Sequence, residues 1–571
     1  MLGFLAIALA WASIGWVAEA ADADVARLRG APTHTASGKH GAVATVQPVA
    51  TEAALEVLRS GGNAVDAMVT AALVLGVVDG ENSGIGGGCF VLLRRANGEI
   101  VALDGREMAP AKATRDMFLR DGKAVSELSV TGPLAAGVPG SLAVYEQLSR
   151  EYGRQPMALH LERAAEIAER GFVVTKGYAH RLTEATNELA RFPASKAVFL
   201  HADGTPYQAG ERLIQTDLAA TYRAMAKEGV GWFYSGEFAR RTEAWMRENG
   251  GLLTAEDFRA YEVRRREPIR TRYRGYEIVG FPPPSSGGVH IAQILNMLEP
   301  KPLSGMKDGS SEFIHRVGEC MKVAFADRAF WLGDSDFARV PRGLTDKSYA
   351  RRLARGISPN ASTPVPGHGL PPRAAEDLFG RHTTHFVAVD AEGNWACCTA
   401  TVNTTFGSKV VIPGTGVVLN NQMDDFVSEP GVPNFFGLMG AEANAVEARK
   451  RPLSSMSPTI VLKKGVPVLA AGAAGGPTII TQTLLTIIRV LDYGEPLDQA
   501  LAQPRFHHQW RPDELVVEAS VPESVRKSLE QKGHRVKATR VLGATQAVTR
   551  SPDGEFTAAA DPRSGGSAGA W

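Results

Sequence analysis

An α+β fold, antiparallel sheets covered by helices, is what this chain of 571 residues predicts, on three observations. Strand pairs joined by tight-turn signals stand near both ends. Helical patterns fill the interval between them. One early helix is apolar on nearly every side, a pattern suited to a core position. Composition agrees, since 44% hydrophobic and 22% charged residues fit a globular protein with a sizeable core. The net charge of +1 gives no electrostatic ground for nucleic acid or an acidic membrane as partner.

The first 20 residues stand apart. Residues 2–17 are almost wholly apolar, and Ala18-Glu19-Ala20 forms a small-x-small cleavage site before Ala21. No Lys or Arg precedes the run, yet it is short for a membrane span. It reads as a signal peptide over 1–20, with an exported, periplasmic or secreted product. From Pro48 to Arg59 a helical pattern ends at Gly61-Gly62, and Asn63 caps the apolar helix running to about Val78. Residues 89–95 and 99–104 flank Asn97-Gly98, a strong hairpin signal, and Arg106 follows directly. The middle, to about Asp334, reads as mostly helical, with a buried helix over 312–330. Residues 357–380, rich in Pro, Gly and Ala, read as an exposed, mobile segment.

Beyond that segment the chain turns β. Phe386–Asp390 and Trp395–Thr401 flank Glu392-Gly393-Asn394. Residues 459–462 and 466–470 flank Lys463-Lys464-Gly465, and 546–549 and 556–559 flank Asp553-Gly554. Of the four cysteines, Cys397 and Cys398 are adjacent in a strand and so point to opposite faces. None has metal-ligand spacing, and all four read as buried thiols.

The chemistry gathers after the Pro/Gly-rich segment. Arg381-His382-Thr383-Thr384-His385-Phe386 is followed by Thr401-Val402-Asn403-Thr404-Thr405 and Asn421-Gln422-Met423-Asp424-Asp425. Pro452-Leu453-Ser454-Ser455-Met456-Ser457-Pro458 and Gly475-Gly476 complete the set. Together they offer a hydroxyl nucleophile, amides, a carboxylate, a hydroxyl pair and a glycine turn, which suits acyl transfer. If Asp390 pairs with Trp395, Thr401 falls opposite Thr384, one position from Thr383. A hydroxyl there can hold the nucleophile's oxygen, although threonine in a strand is by itself ordinary β-propensity. A hydroxyl also needs a base, and the chain has no G-x-S-x-G elbow. A Thr at a newly made N-terminus carries its own base, an α-amino group with a reference pKa of about 7.7–8.0. That demands cleavage between His382 and Thr383.

On these residues the chain resembles the γ-glutamyltranspeptidases, of the N-terminal-nucleophile hydrolase superfamily. The resemblance runs from Gly61-Gly62-Asn63-Ala64-Val65-Asp66-Ala67 to Asp561-Pro562-Arg563. It implies a four-layer αββα sandwich, one intertwined body built from both autoproteolytic fragments, a large subunit (21–382) and a small one (383–571). It implies Thr383 as autoprocessing residue and nucleophile, Thr401 as its hydroxyl partner, and the amides of Gly475 and Gly476 as the oxyanion hole. Arg106, Ser454 and Ser455 would bind an α-carboxylate, and Asn403, Gln422 and Asp425 an α-ammonium. The residue types agree independently, since an amino-acid head group asks for a guanidinium and a carboxylate.

The activity implied is cleavage of glutathione and other γ-glutamyl amides through a γ-glutamyl-Thr ester. Water or an amino-acid or dipeptide acceptor resolves the ester, with no cofactor or metal. Two departures stand out. Phe436 occupies the lid segment where several members have Tyr, and Pro477 removes a possible third amide after the glycine pair. As a phosphate loop the glycine pair lacks its lysine, and Cys89 breaks a dinucleotide fingerprint at Gly84 to Gly88, leaving close backbone packing as that run's role. The alternatives are a cephalosporin or glutaryl-type acylase of the same family, or an inert exported binding protein. Asp425 speaks against the acylase, because a glutaryl side chain has no ammonium.

Overall fold

A helix apolar all round has to be enclosed, and Ala64–Val78 is, with every residue except Gly76 buried. Asn63 starts it through a capping box: its side chain accepts from the N–H groups of Val65 and Asp66, and Asp66 accepts the Asn63 N–H at 2.8 Å. The computed structural model describes residues 33–372 and 385–571. The 1–20 leader, Thr383 and Thr384 lie outside the described residues.

Two seven-stranded antiparallel sheets form the centre. One runs Thr35–Gly38, Phe556–Ala560, Ala544–Arg550, Val466–Ala474, Thr459–Lys463, Tyr276–Gly280, Ile269–Tyr273. The other runs Ser567–Ala570, Gly41–Thr45, Phe386–Asp390, Trp395–Thr401, Gly88–Arg94, Ile100–Gly105, Arg264–Arg266. Their inner faces share a core that includes Phe90, Phe281, Trp395, Cys397, Ile460 and Val548. Ala64–Val78 and its neighbours cover the outer face of the second sheet. Gly287–Leu298, Ser311–Trp331 and Thr478–Asp492 cover the first. The α+β sandwich is therefore four layers, αββα. Cys397 lies between the sheets and Cys398 on the helix side, as alternation along a strand requires. Both are free, buried thiols.

Chain order and sheet order are thoroughly mixed. In the second sheet Gly41–Thr45 lies between Ser567–Ala570 and Phe386–Asp390. Trp395–Thr401 pairs along its whole length with Gly88–Arg94. Each sheet thus contains strands from both sides of position 383.

One expectation is corrected. Val389, not Asp390, pairs with Trp395, a slip of one residue. The reason is local. The Asp390 carboxylate accepts from the Asn394 N–H at 3.0 Å and Nδ2 at 2.8 Å, so those residues face each other and the loop shrinks to 391–393. Gly393, at φ 96°, takes the left-handed position such a loop requires. The strand bounds themselves agree with the sequence. Residues 357–372 carry no helix or strand, as expected, but they are not simply loose. The Ser362 hydroxyl and Thr363 carbonyl accept from Lys322 Nζ, and the Gly369 N–H donates to Asp327 at 2.7 Å.

Candidate active site

Thr401 ends its strand opposite Gly88, and the glycine run beside it exists for that approach. A Cβ on Gly87 would stand 1.9 Å from the Thr401 carbonyl oxygen. Beyond Thr401 the backbone turns through Asn403, at φ 84°, where asparagine is among the better-tolerated side chains. The Asn403 N–H donates to Thr401 Oγ1 at 2.8 Å, and its Nδ2 to the Asn421 carbonyl at 3.0 Å. A short 3-10 turn, Gln422–Asp425, follows and is buried throughout.

Arg106, just past Ile100–Gly105, is 0% exposed. Its Nη2 donates to Asp425 at 2.7 Å, its Nη1 to Glu107 at 3.0 Å, and its Nε to the Pro452 carbonyl at 3.3 Å. Gln422 Nε2 donates to the same Asp425 oxygen at 2.8 Å. The two ends of the expected head-group clamp are thus bonded to each other.

Thr401, Asn403, Asp425, Ser454, Ser455 and Gly476 line one small cavity, bordered by Phe436, Leu438 and Pro477, with a volume of about 30 Å³. Gly475 and Gly476 sit between strand Val466–Ala474 and helix Thr478–Asp492 at φ 134° and 57°. Among the described residues neither of their N–H groups has an acceptor, the condition an oxyanion hole needs. A Cβ on Gly476 would meet the Phe436 ring at 2.8 Å, so that aromatic packs directly on the turn. Of the expected site residues, then, Thr401, Asn403, Asp425, Ser454, Ser455 and Gly476 share the cavity. Arg106 and Gln422 stand behind it on Asp425, and Gly475 adjoins. Thr383 lies outside the described residues.

Three residues that the sequence reading did not assign support the site. Burial pushes Glu107 up to about 7, against the pull of Arg106, so this second carboxylate on the guanidinium titrates near neutrality. Tyr261 donates its hydroxyl to the Arg106 carbonyl at 2.6 Å. Asp424 accepts from Ser129 Oγ at 2.7 Å and from the Phe435 N–H at 3.1 Å, tying the segment around Phe435 to the turn. The acidic pair was visible in the sequence; that both members reach residues 434–435 was not.

Burial pushes Asp424 up to about 6, with Asp425's charge adding to it and Ser129 opposing. An acid raised in the folded state binds its proton more tightly there than when unfolded. Its destabilising contribution is absent below the ordinary carboxyl range, grows as pH rises towards about 6, and is constant above that. Relative to Asp424→Asn, wild type should therefore lose thermal stability between about pH 4 and 6. Melting temperatures of both proteins from pH 4 to 8 measure this, and a difference independent of pH would refute it.

Among the described residues one cluster has metal-ligand character, His315, Glu319 and His534, with ligand atoms within 4.8 Å of one another. It is satisfied internally. His315 Nδ1 and His534 Nε2 share a hydrogen bond at 2.7 Å, and Lys322 Nζ lies 2.9 Å from Glu319.

Residues 50–571 match the family model described as Gamma-glutamyltranspeptidase. The chain is 44% identical to the glutathione hydrolase proenzyme of Escherichia coli K12, over 93% of this chain and 92% of that one. A solved cephalosporin acylase from Bacillus halodurans superposes with a TM-score of 0.84 at 27% identity, over 94% of this chain and 97% of the other. A Helicobacter pylori γ-glutamyltranspeptidase structure, 41% identical, matches with a TM-score of 0.55 over 56% of this chain and 92% of its own.

Proposed function

The chain belongs to the γ-glutamyltranspeptidase family, and from that premise we propose that it is an autoprocessing enzyme that cleaves glutathione and other γ-glutamyl amides. The observation that carries this is the Arg106–Asp425 pair behind a cavity lined by Ser454, Ser455 and Asn403, complementary to an amino-acid head group.

Thr383, freed as the first residue of the fragment 383–571, is the proposed nucleophile. The register of the hairpin supports it: with Phe386 paired to Cys398, a strand continued three residues further back would run alongside Thr401. Its Oγ attacks the γ-carbonyl while its own α-amino group takes the proton. The oxyanion that forms is received by the Gly475 and Gly476 amides, which have no other acceptor among the described residues. The C–N bond then breaks, the proton passes to the leaving amine, and a γ-glutamyl ester on Thr383 remains. Water, or an amino-acid or dipeptide amine, attacks that ester and regenerates the hydroxyl. Thr401 supports the nucleophile's oxygen.

The acylase alternative meets the same objection in three dimensions. A glutaryl group brings a carboxylate to Arg106 but no ammonium to Asp425, so the two carboxylates must share one guanidinium. Export through the 1–20 leader also belongs to this proposal. The purified protein, given glutathione and a dipeptide acceptor, should release free glutamate and form γ-glutamyl-dipeptide, each quantified separately. Turnover of a glutaryl amide with neither product from glutathione would overturn the reading.

A further inference from the structure

Arg328, near the end of helix Ser311–Trp331, is only 2% exposed and, among the described residues, has no ion-pair partner. Among the described residues its guanidinium makes one hydrogen bond, from Nε to Ser286 Oγ, at 3.2 Å. The carboxylate whose charge it feels is Asp425, and burial pushes the guanidinium down to about 10 despite it. His290 beside it is no counter-ion, since burial and then Arg328 push its imidazole down to about 3. A buried charge with no partner is costly, and packing alone gives no reason to keep one.

Ser286 says what the charge is attached to. Having accepted from Arg328, its hydroxyl donates to the Ser454 carbonyl at 2.6 Å, and its N–H donates to the same oxygen at 3.2 Å. Although Ser286 opens helix Gly287–Leu298, its side chain makes no capping bond, so the hydroxyl is committed to Ser454. The helix start is pressed hard against that stretch, for a Cβ on Gly287 would meet the Met456 carbonyl at 2.5 Å. Two donors on one carbonyl fix the Ser454–Ser455 peptide, and with it two side chains of the cavity. A cation at the far end of the relay polarises the hydroxyl and strengthens its bond to Ser454.

We propose that Arg328 is a positioning residue for the substrate's α-carboxylate: through Ser286 it fixes the Ser454–Ser455 peptide, and its charge, unpaired among the described residues, makes this end of the site attract an anion. Arg106 cannot supply that potential alone, because two carboxylates already bond its guanidinium. The inference rests on the γ-glutamyl reading above.

The test compares L-γ-glutamyl-p-nitroanilide with 4-aminobutanoyl-p-nitroanilide, the same amide without the α-carboxylate. Arg328→Gln should raise KM for the γ-glutamyl substrate about tenfold or more, the scale of a lost charge-assisted hydrogen bond, with kcat nearly unchanged. KM for the 4-aminobutanoyl substrate should stay at the wild-type value. Ser286→Ala should give a smaller shift of the same kind, the double variant should add little to Arg328→Gln, and Arg328→Lys should recover part of the affinity. Equal losses on both substrates, a fall in kcat with melting temperature, and no rescue by Lys would make Arg328 merely structural and overturn the proposal. Variants indistinguishable from an active wild type would overturn it too, while leaving the γ-glutamyl reading intact. A wild type that cleaves neither anilide nor glutathione would remove that reading and this proposal together.

Discussion

Arg106→Lys is expected to raise KM for a γ-glutamyl amide by about 10–100-fold, with a much smaller effect on kcat. The guanidinium is fully buried and uses three nitrogens in three directions, towards Asp425, Glu107 and the Pro452 carbonyl. An ammonium on a flexible stem cannot reproduce that fork, nor present two parallel N–H groups to an incoming carboxylate. Lysine would keep a charge near Asp425 and Glu107, so the protein should still fold and the loss should fall on binding.

Asp425→Asn tests the other end of the same clamp. It should weaken substrates bearing an α-ammonium by about 10-fold or more and spare their deaminated glutaryl counterparts, narrowing the gap between the two classes. Steady-state kinetics with a matched γ-glutamyl and glutaryl anilide measure both variants. If both treat the two anilides as wild type does, the head-group assignment is wrong.

Much of this was legible in the sequence because the signals were local. Asn63 and Asp66 cap a helix through their own neighbours, so the apolar helix starts where the pattern says, and Pro48–Arg59 stops just before Gly61-Gly62. Turn glycines likewise fixed the hairpins at Gly98 and Gly393, where φ is positive. The strands Ile269–Tyr273 and Tyr276–Gly280 were not seen, although Arg272 and Glu277 pair across a tight turn at Arg274-Gly275. Helical patterns on both sides hid them, and their place beside Thr459–Lys463 is a long-range fact. The one-residue slip in the Phe386–Asp390 hairpin came from a side-chain choice, Asp390 bonding Asn394, which spacing does not encode.

The site divides in the same way. The family resemblance named the clamp, and the residue types agreed with it, because a guanidinium, a carboxylate and paired hydroxyls are what an amino-acid head group requires. What spacing could not show is that Arg106 and Asp425 bond to each other. Nor could it show Arg328 reaching Ser454 through Ser286, since 42 and 168 positions separate the partners.

Thr383→Ala should give one uncleaved chain with turnover reduced by about 10⁶-fold, the scale on which an acyl-transfer enzyme suffers from losing its nucleophile. Wild type should instead show two fragments on denaturing electrophoresis, the larger ending at His382 and the smaller beginning at Thr383. In the proposed mechanism the cut should need no outside protease: the Thr383 hydroxyl would attack the His382 carbonyl, the acyl group would move from nitrogen to oxygen, and water would hydrolyse the ester. The shift from nitrogen to oxygen frees the α-amino group the later chemistry uses as base, and the hydrolysis returns the hydroxyl, so processing and catalysis depend on one side chain. The fragments should stay together in native gels, because each sheet is built from strands on both sides of the cut and the pairing of Trp395–Thr401 with Gly88–Arg94 bridges it along a full strand. Thr383→Ser should cleave and turn over more slowly, since a hydroxyl survives. N-terminal sequencing of the small fragment decides the matter. An active enzyme that remains a single chain, or a small fragment beginning at any other residue, would exclude this mechanism.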